Sequence, residues 1–135
     1  MSASHPAPAR QAPTGPPPAW RTAVRRAAFG WVELLATGRY DALAERCGWP
    51  AERLAEAMAP YWDEYDAILT DGDARSTRWY ALAEATDRWT VTQQLADPEG
   101  DGVWRFTAAV DVQAGLAAGA PTLVLETLGP FDPFS

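Results

Sequence analysis

The chain of 135 residues has no lysine and no asparagine, and only one histidine and one cysteine. Without lysine there is no Walker lysine, no Schiff base and no lysine general base. Neither of the glycine-rich nucleotide-binding motifs, G-x-x-x-x-G-K and G-x-G-x-x-G, occurs in the sequence. The one histidine, His5, lies in a proline-rich N-terminal segment, which excludes a histidine-based triad or zinc site inside the fold. These absences argue against an enzyme and predict no cofactor and no metal ion, although they leave cofactor-free catalysis open.

Paired cysteines and long apolar runs are also missing. Because Cys47 is the only cysteine, no intramolecular disulfide can form, and we expect its thiol to behave as a buried, small apolar group. The sequence holds no apolar run of about eighteen residues that could cross a membrane. The N-terminus has no apolar core of the kind a signal peptide needs. The sequence therefore predicts a cytoplasmic protein without membrane contact.

The net charge of −7 is unevenly distributed along the chain. Residues 1–40 carry five arginines against one acid, whereas residues 41–135 carry six arginines against seventeen acids. An acidic body repels phosphate backbones, because nucleic-acid affinity comes mainly from lysine and arginine. Only the cluster of Arg21, Arg25 and Arg26 could offer such contacts, so we do not expect direct nucleic-acid binding.

The composition divides the chain into a tail and one domain. Residues 1–18 hold six prolines among alanine, serine and glycine, and they cannot bury enough apolar surface to offset the entropy of ordering. We expect a disordered tail there, with a proline-rich docking peptide as the alternative. The remaining residues, 19–135, suffice for a single domain with one core.

Apolar residues recur at helical spacing through the first half of the domain. This period predicts helices over residues 19–37, 40–47 and about 50–69. Gly38 and Gly48 stand where the first and second helices should end.

In the second half the apolar period changes to two, which is typical of strands. The pattern predicts strands near residues 78–84, 89–95, 103–112 and 122–128, with a loose loop over 113–121. The connections are short enough to join antiparallel neighbours. Three helices followed by a four-stranded antiparallel meander make an α+β domain, in which the helices pack on one face of the sheet.

Alternate side chains of the third predicted strand lie on opposite faces of the sheet. Trp104 and Phe106 should face the helices, whereas Arg105 and Asp111 lie on the less apolar face.

Four segments, in order and spacing, resemble the domain of unknown function at the C-terminus of actinobacterial superfamily II DEAD/DEAH-box RNA helicases. They are AWRTAVRRAAFGWVELLATGRYDAL (19–43), APYWDEYDAIL (59–69), DARSTRWYALAE (73–84) and RWTVTQQLADPEGDGVWRFTAAVDV (88–112). The DPEGD turn in the last segment is the most specific feature. The ATPase motifs of those helicases have no counterpart here. The resemblance therefore implies a non-catalytic accessory domain, detached from a helicase or a stand-alone relative, with a protein partner such as a helicase or RNA-processing component.

The order of helices and strands also resembles the nuclear-transport-factor-2-like (cystatin-like) fold, which implies a cone-shaped cavity used for binding, catalysis or dimerisation. Asp111, Arg105, Tyr61 and Tyr80 are candidate ligand-binding groups at the mouth of such a cavity. A surface ion pair between Asp111 and Arg105 is the alternative. The oligomeric state is left open, a dimer included.

Five carboxylates cluster around the predicted end of the third helix. They are Asp63, Glu64, Asp66, Asp71 and Asp73. Carboxylates near a helix C-terminus oppose the helix dipole, so stability alone does not explain them. They are candidate contacts for a basic partner. A solvated acidic face and a divalent-cation site are the alternatives, although the spacing lacks the glycine and closing glutamate of an EF-hand.

Three functions follow in order of support. The first is a non-catalytic interaction domain related to the helicase extension. The second is a small-molecule-binding protein or cofactor-free enzyme with a cavity between helices and sheet. The third is an RNA-binding module that uses the arginines of the first predicted helix.

Overall fold

The structure, a computed structural model, describes residues 15–131. Three helices form its N-terminal half: α1 (Ala19–Ala36), α2 (Tyr40–Cys47) and α3 (Ala51–Glu64). Each buries one stripe of apolar side chains at helical spacing. In α1 the buried residues are Trp20, Val24, Ala28, Trp31, Val32 and Leu35. Gly48 has φ of 90°, a left-handed conformation that ends α2 and that a side chain would disfavour.

The third helix is five residues shorter than its apolar pattern indicated, so the prediction that it reaches residue 69 is wrong. Tyr65 is already extended, with φ of −129° and ψ of 152°. Farther on, the Leu69 amide donates to the Ala96 carbonyl at 2.8 Å in an isolated antiparallel bridge. The Leu69 N–H is thus used in pairing with a distant segment and not in the helix, and Asp66 lies outside the helix, which ends at Glu64.

Four strands form one antiparallel sheet in the order β1-β2-β3-β4. They are β1 (Tyr80–Glu84), β2 (Arg88–Gln94), β3 (Trp104–Asp111) and β4 (Leu123–Pro130). Each strand pairs with its neighbour in sequence, which confirms the predicted meander.

A fourth helix, α4 (Val112–Ala118), occupies most of the predicted loop over residues 113–121, so that prediction is wrong. The side chain of Asp111 caps this helix, because its Oδ1 accepts the Ala114 N–H at 3.0 Å. A Cβ at Gly115 would come within 2.6 Å of the Trp20 ring, so only glycine allows α4 to approach α1 this closely. Over residues 15–131 the fold is thus α+β with four α-helices rather than three.

The core lies between the helices and the inner face of the sheet. The Phe106 ring centroid is 5.6 Å from that of Trp31 in α1. The Trp104 ring packs edge-on against Tyr61 in α3, with centroids 5.3 Å apart. Trp104 and Phe106 therefore face the helices as the alternation predicted.

The single thiol lies in this core. Cys47 has no exposed surface, and burial raises the pKa of its thiol above the ordinary value. The Trp49 N–H donates to Sγ at 3.5 Å. Ellman's reagent reacts only with a thiol that is accessible and deprotonated, so we expect the native protein to resist it. Protein unfolded in guanidinium should show one reactive thiol per chain. Immediate reaction of the native protein would contradict the buried placement.

Candidate functional site

A cleft of about 340 Å³ lies between α1, the turn at residues 74–76 and the first two strands. We call it the arginine cleft, because Arg25, Arg26 and Arg75 line it together with Tyr80 and Gln93. Helical spacing places Arg25 and Arg26 on the exposed side of α1. The structure brings them opposite a turn that is about fifty residues away in sequence, so the cleft has no local sequence signal.

The arginines of the cleft differ in their contacts. Arg75 Nη2 donates to Glu33 Oε2 at 3.2 Å, and its guanidinium carbon is 4.8 Å from the Phe29 ring centroid. Arg25 Nη2 donates to the Arg75 carbonyl at 2.8 Å. Arg26 forms no salt bridge with any residue in 15–131. Three guanidinium groups thus face a single carboxylate, which makes this cleft a local positive region on an acidic chain.

The opposite wall is made by two side chains from neighbouring strands. The Tyr80 hydroxyl is buried and has no hydrogen-bond partner within residues 15–131. Burial raises the pKa of this phenol above its ordinary value of 10, so the hydroxyl is a neutral donor near pH 7. Gln93 is almost fully buried, and its amide nitrogen donates to the carbonyls of Trp79 and Gln94 at 3.1 and 3.0 Å.

The four side chains predicted for ligand binding do not come together. Asp111 caps α4, whereas Arg105 lies six residues earlier in the same strand, which is roughly 20 Å away along β3. The Arg105 guanidinium stacks on the Phe131 ring at 3.9 Å. Tyr61 is fully buried and donates its hydroxyl to a backbone carbonyl. Two of the four, Tyr80 and Arg105, border a common groove of about 200 Å³.

Three of the five predicted partner-binding acids share one groove. Asp63, Glu64 and Asp66 border a depression of about 250 Å³ together with Glu99. We call these four residues the acidic groove. None of them takes part in a salt bridge within residues 15–131. Glu99 was not among the acids predicted to bind a partner, because only the tertiary fold brings its turn to the end of α3.

The other two predicted acids lie in the following turn and have structural contacts. Asp71 Oδ1 accepts the Ala74 N–H at 3.0 Å. The backbone carbonyl of Asp73 accepts the Trp79 indole N–H at 3.1 Å. Neither residue lines the acidic groove.

A buried carboxylate holds the turn that carries Glu99. Asp97 is 3% exposed and accepts the N–H groups of Glu99, Asp101 and Gly102 at 3.1, 2.9 and 2.8 Å. The Tyr65 hydroxyl donates to Asp101 Oδ2 at 2.6 Å and ties the turn to the segment after α3. The DPEGD motif is therefore a structural device that positions one wall of the acidic groove.

Neither site is arranged around a metal. Within residues 15–131, no group of three or more histidine, cysteine, aspartate or glutamate side chains could hold a metal ion. No helix in the same range is both long enough and apolar enough to span a membrane.

Comparison with known proteins identifies the family but no assigned function. No curated protein and no solved structure matches the chain significantly. The family described as "Domain of unknown function (DUF3516)" matches residues 2–128, which include both the arginine cleft and the acidic groove. The chain therefore belongs to the DUF3516 family.

Proposed function

We propose that this chain is a non-catalytic interaction domain whose acidic groove docks a basic segment of a partner protein. The observation that carries the proposal is the grouping of Asp63, Glu64, Asp66 and Glu99 without a cation from the described part of the chain. Four like charges in one depression repel each other, and a partner that supplies arginine or lysine relieves that repulsion.

The helix end adds to the repulsion. Asp63 and Glu64 occupy the last turn of α3, where the negative end of the helix dipole disfavours carboxylates. The partly buried ring of Trp62 and the buried ring of Tyr65 also border the groove. Aromatic rings beside carboxylates suit an arginine side chain, which can stack and pair at the same time.

The identity of the partner is proposed from the sequence. Segments over residues 19–112 resemble the C-terminal extension of actinobacterial DEAD/DEAH-box helicases, and we propose a helicase or another RNA-processing protein as the partner.

We likewise propose a nuclear-transport-factor-2-like cone for the fold. The four-stranded meander with helices on its inner face supports it.

Charge reversal in the groove tests this function. The double variant D63R/D66R is expected to keep its melting temperature within roughly two degrees, because both side chains are exposed and the dipole of α3 favours the change at Asp63. Capture of partner proteins from native lysate should fall by about tenfold or more, since the rim charges that attract a basic segment are inverted. Quantitative mass spectrometry of the captured proteins measures this fall in capture.

A matched control has the same change in net charge elsewhere. E45R/E56R alters two exposed acids of α2 and α3 that lie outside the groove, and it should capture partners as the wild type does. Equal capture by D63R/D66R and wild type would show that the acidic groove is only a solvated face. Equal loss in both double variants would show that net charge, and not this groove, attracts the partner.

A second function, small-molecule binding, is favoured by the arginine cleft. Tyr80 is the one predicted ligand-binding residue that lines it. The cleft combines a volume at the lower end of the range for ligand pockets with cationic groups and an unpartnered donor.

A further inference from the structure

The wall of the arginine cleft contains a glycine that packing does not require. Gly30 lies inside α1, and a Cβ built there would meet nothing within 4 Å. Its φ is not in the left-handed region. Glycine inside a helix lowers stability relative to alanine, so stability alone favours alanine here. Gly30 lines the arginine cleft and also a neighbouring groove, and its missing side chain leaves room for an occupant in both.

Tyr80, a residue of the opposite wall, carries a buried donor without an acceptor. A buried hydroxyl that makes no hydrogen bond is costly, and the Tyr80 hydroxyl has no partner within residues 15–131. The Arg25 guanidinium carbon lies 5.9 Å from the centroid of the Tyr80 ring, which places a cation beside the phenol. An acceptor that carries negative charge would satisfy both groups.

The rest of the lining determines what else the occupant must be. Phe29 and Ala74 contribute apolar surface, and the Tyr80 ring adds more. Glu33 stands at the wall, held by Arg75, and repels a second negative charge. A cleft with this lining suits an apolar body with one negative group better than it suits a phosphate dianion.

We propose that the arginine cleft binds a small organic carboxylate with an apolar body. Arg25 and Arg26 supply the positive charge, and the apolar body lies along Phe29 in the space that Gly30 leaves. A small shift of the Tyr80 side chain exposes its hydroxyl, which is buried in the unliganded fold, and the hydroxyl then donates to one carboxylate oxygen. This inference deepens the second candidate function and is independent of the acidic groove, which other elements form.

Titration with simple probes tests the ligand class. Phenylacetate and hexanoate are expected to bind the full chain with dissociation constants of about 1 mM or below, and phenylacetamide at least about tenfold more weakly. When the titration is followed by NMR, the largest chemical-shift changes of backbone amides should occur at Tyr80 and Gln93. No shift with either carboxylate at about 10 mM, equal binding of the amide, or tighter binding of inorganic phosphate would each overturn the proposal.

A size series at one position tests the location. Gly30→Ala should raise the melting temperature and weaken phenylacetate binding slightly, because a methyl group enters the cleft. Gly30→Met, a good helix former with a long side chain, should weaken binding by about tenfold or more while the helix stays intact. Arg39→Gln, which removes a cation outside the cleft, is expected to bind as the wild type. Undiminished binding by Gly30→Met would overturn the assignment of the cleft.

Tyr80→Phe separates a binding role from a structural one. Removal of an unpartnered buried hydroxyl should raise the melting temperature, whereas loss of a donor to the ligand should weaken phenylacetate binding by about fivefold to tenfold. Unchanged affinity would exclude the hydroxyl as a ligand contact and overturn the proposal. D63R/D66R should still bind phenylacetate, so the failure of one site is distinguishable from the failure of the other.

Discussion

Replacing Phe106 by alanine is expected to lower the free energy of unfolding by about 3–5 kcal/mol, as truncation of large core side chains does. Phe106 has no exposed surface and lies in β3, between Gln93 of β2 and Leu128 of β4. Its ring packs on Trp31 of α1, so alanine opens a cavity between the sheet and the longest helix. Urea denaturation followed by tryptophan fluorescence measures the change.

A substitution on the other side of the sheet provides the control. Val124 in β4 is 51% exposed, and Val124→Ala should cost only about 0.5 kcal/mol or less. A loss under about 1 kcal/mol for Phe106→Ala would contradict the inner placement of this ring and the register of β3.

The second large effect is expected at Asp97, where alanine should cost about 2–4 kcal/mol. Its buried carboxylate accepts three backbone N–H groups of the DPEGD turn, and alanine leaves all three without that acceptor. Charge-assisted hydrogen bonds of this kind contribute more than neutral ones. The turn should also become mobile, which hydrogen exchange at Asp101 and Gly102 reports.

Asparagine at the same position is the matched control, since it keeps one acceptor oxygen and nearly the same shape. Asp97→Asn should therefore lose less stability than Asp97→Ala. Equal stability of the wild type and Asp97→Ala would show that water replaces the carboxylate without cost. In that case Asp97 would not be what places Glu99 in the acidic groove.

The two candidate sites have opposite charge and are built from different elements. The arginine cleft is formed by α1, the turn before β1, and the start of the sheet. The acidic groove is formed by the end of α3 and the turn between β2 and β3. If both proposals hold, a partner binds at one surface and a small ligand at the other, and the charge-reversal variants and the cleft variants test each surface separately.

Local periodicity was sufficient for most of the architecture. The apolar stripe of α1 and the alternation of Trp104 and Phe106 in β3 repeat at the helical and strand periods, so their buried faces could be predicted from neighbouring residues alone. The four-strand meander followed because short connections join antiparallel neighbours. The helix α4 was missed, although Asp111 three residues before Ala114 is a capping signal.

The two candidate sites could not be predicted in full from the sequence, because they are formed by residues that lie far apart in the chain. The helix α3 ends at Glu64, and Leu69 pairs with Ala96 in the segment that leads into the DPEGD turn. That turn places Glu99 in the same groove as Asp63, which no spacing in the sequence indicates. Arg105 and Asp111 share a strand face, yet the rise of an extended chain keeps them apart. The spacing of apolar residues and the residues that form turns are local features, so they can be predicted from sequence. A cleft forms only where separate helices and strands meet, and the packing of the whole core decides where that is.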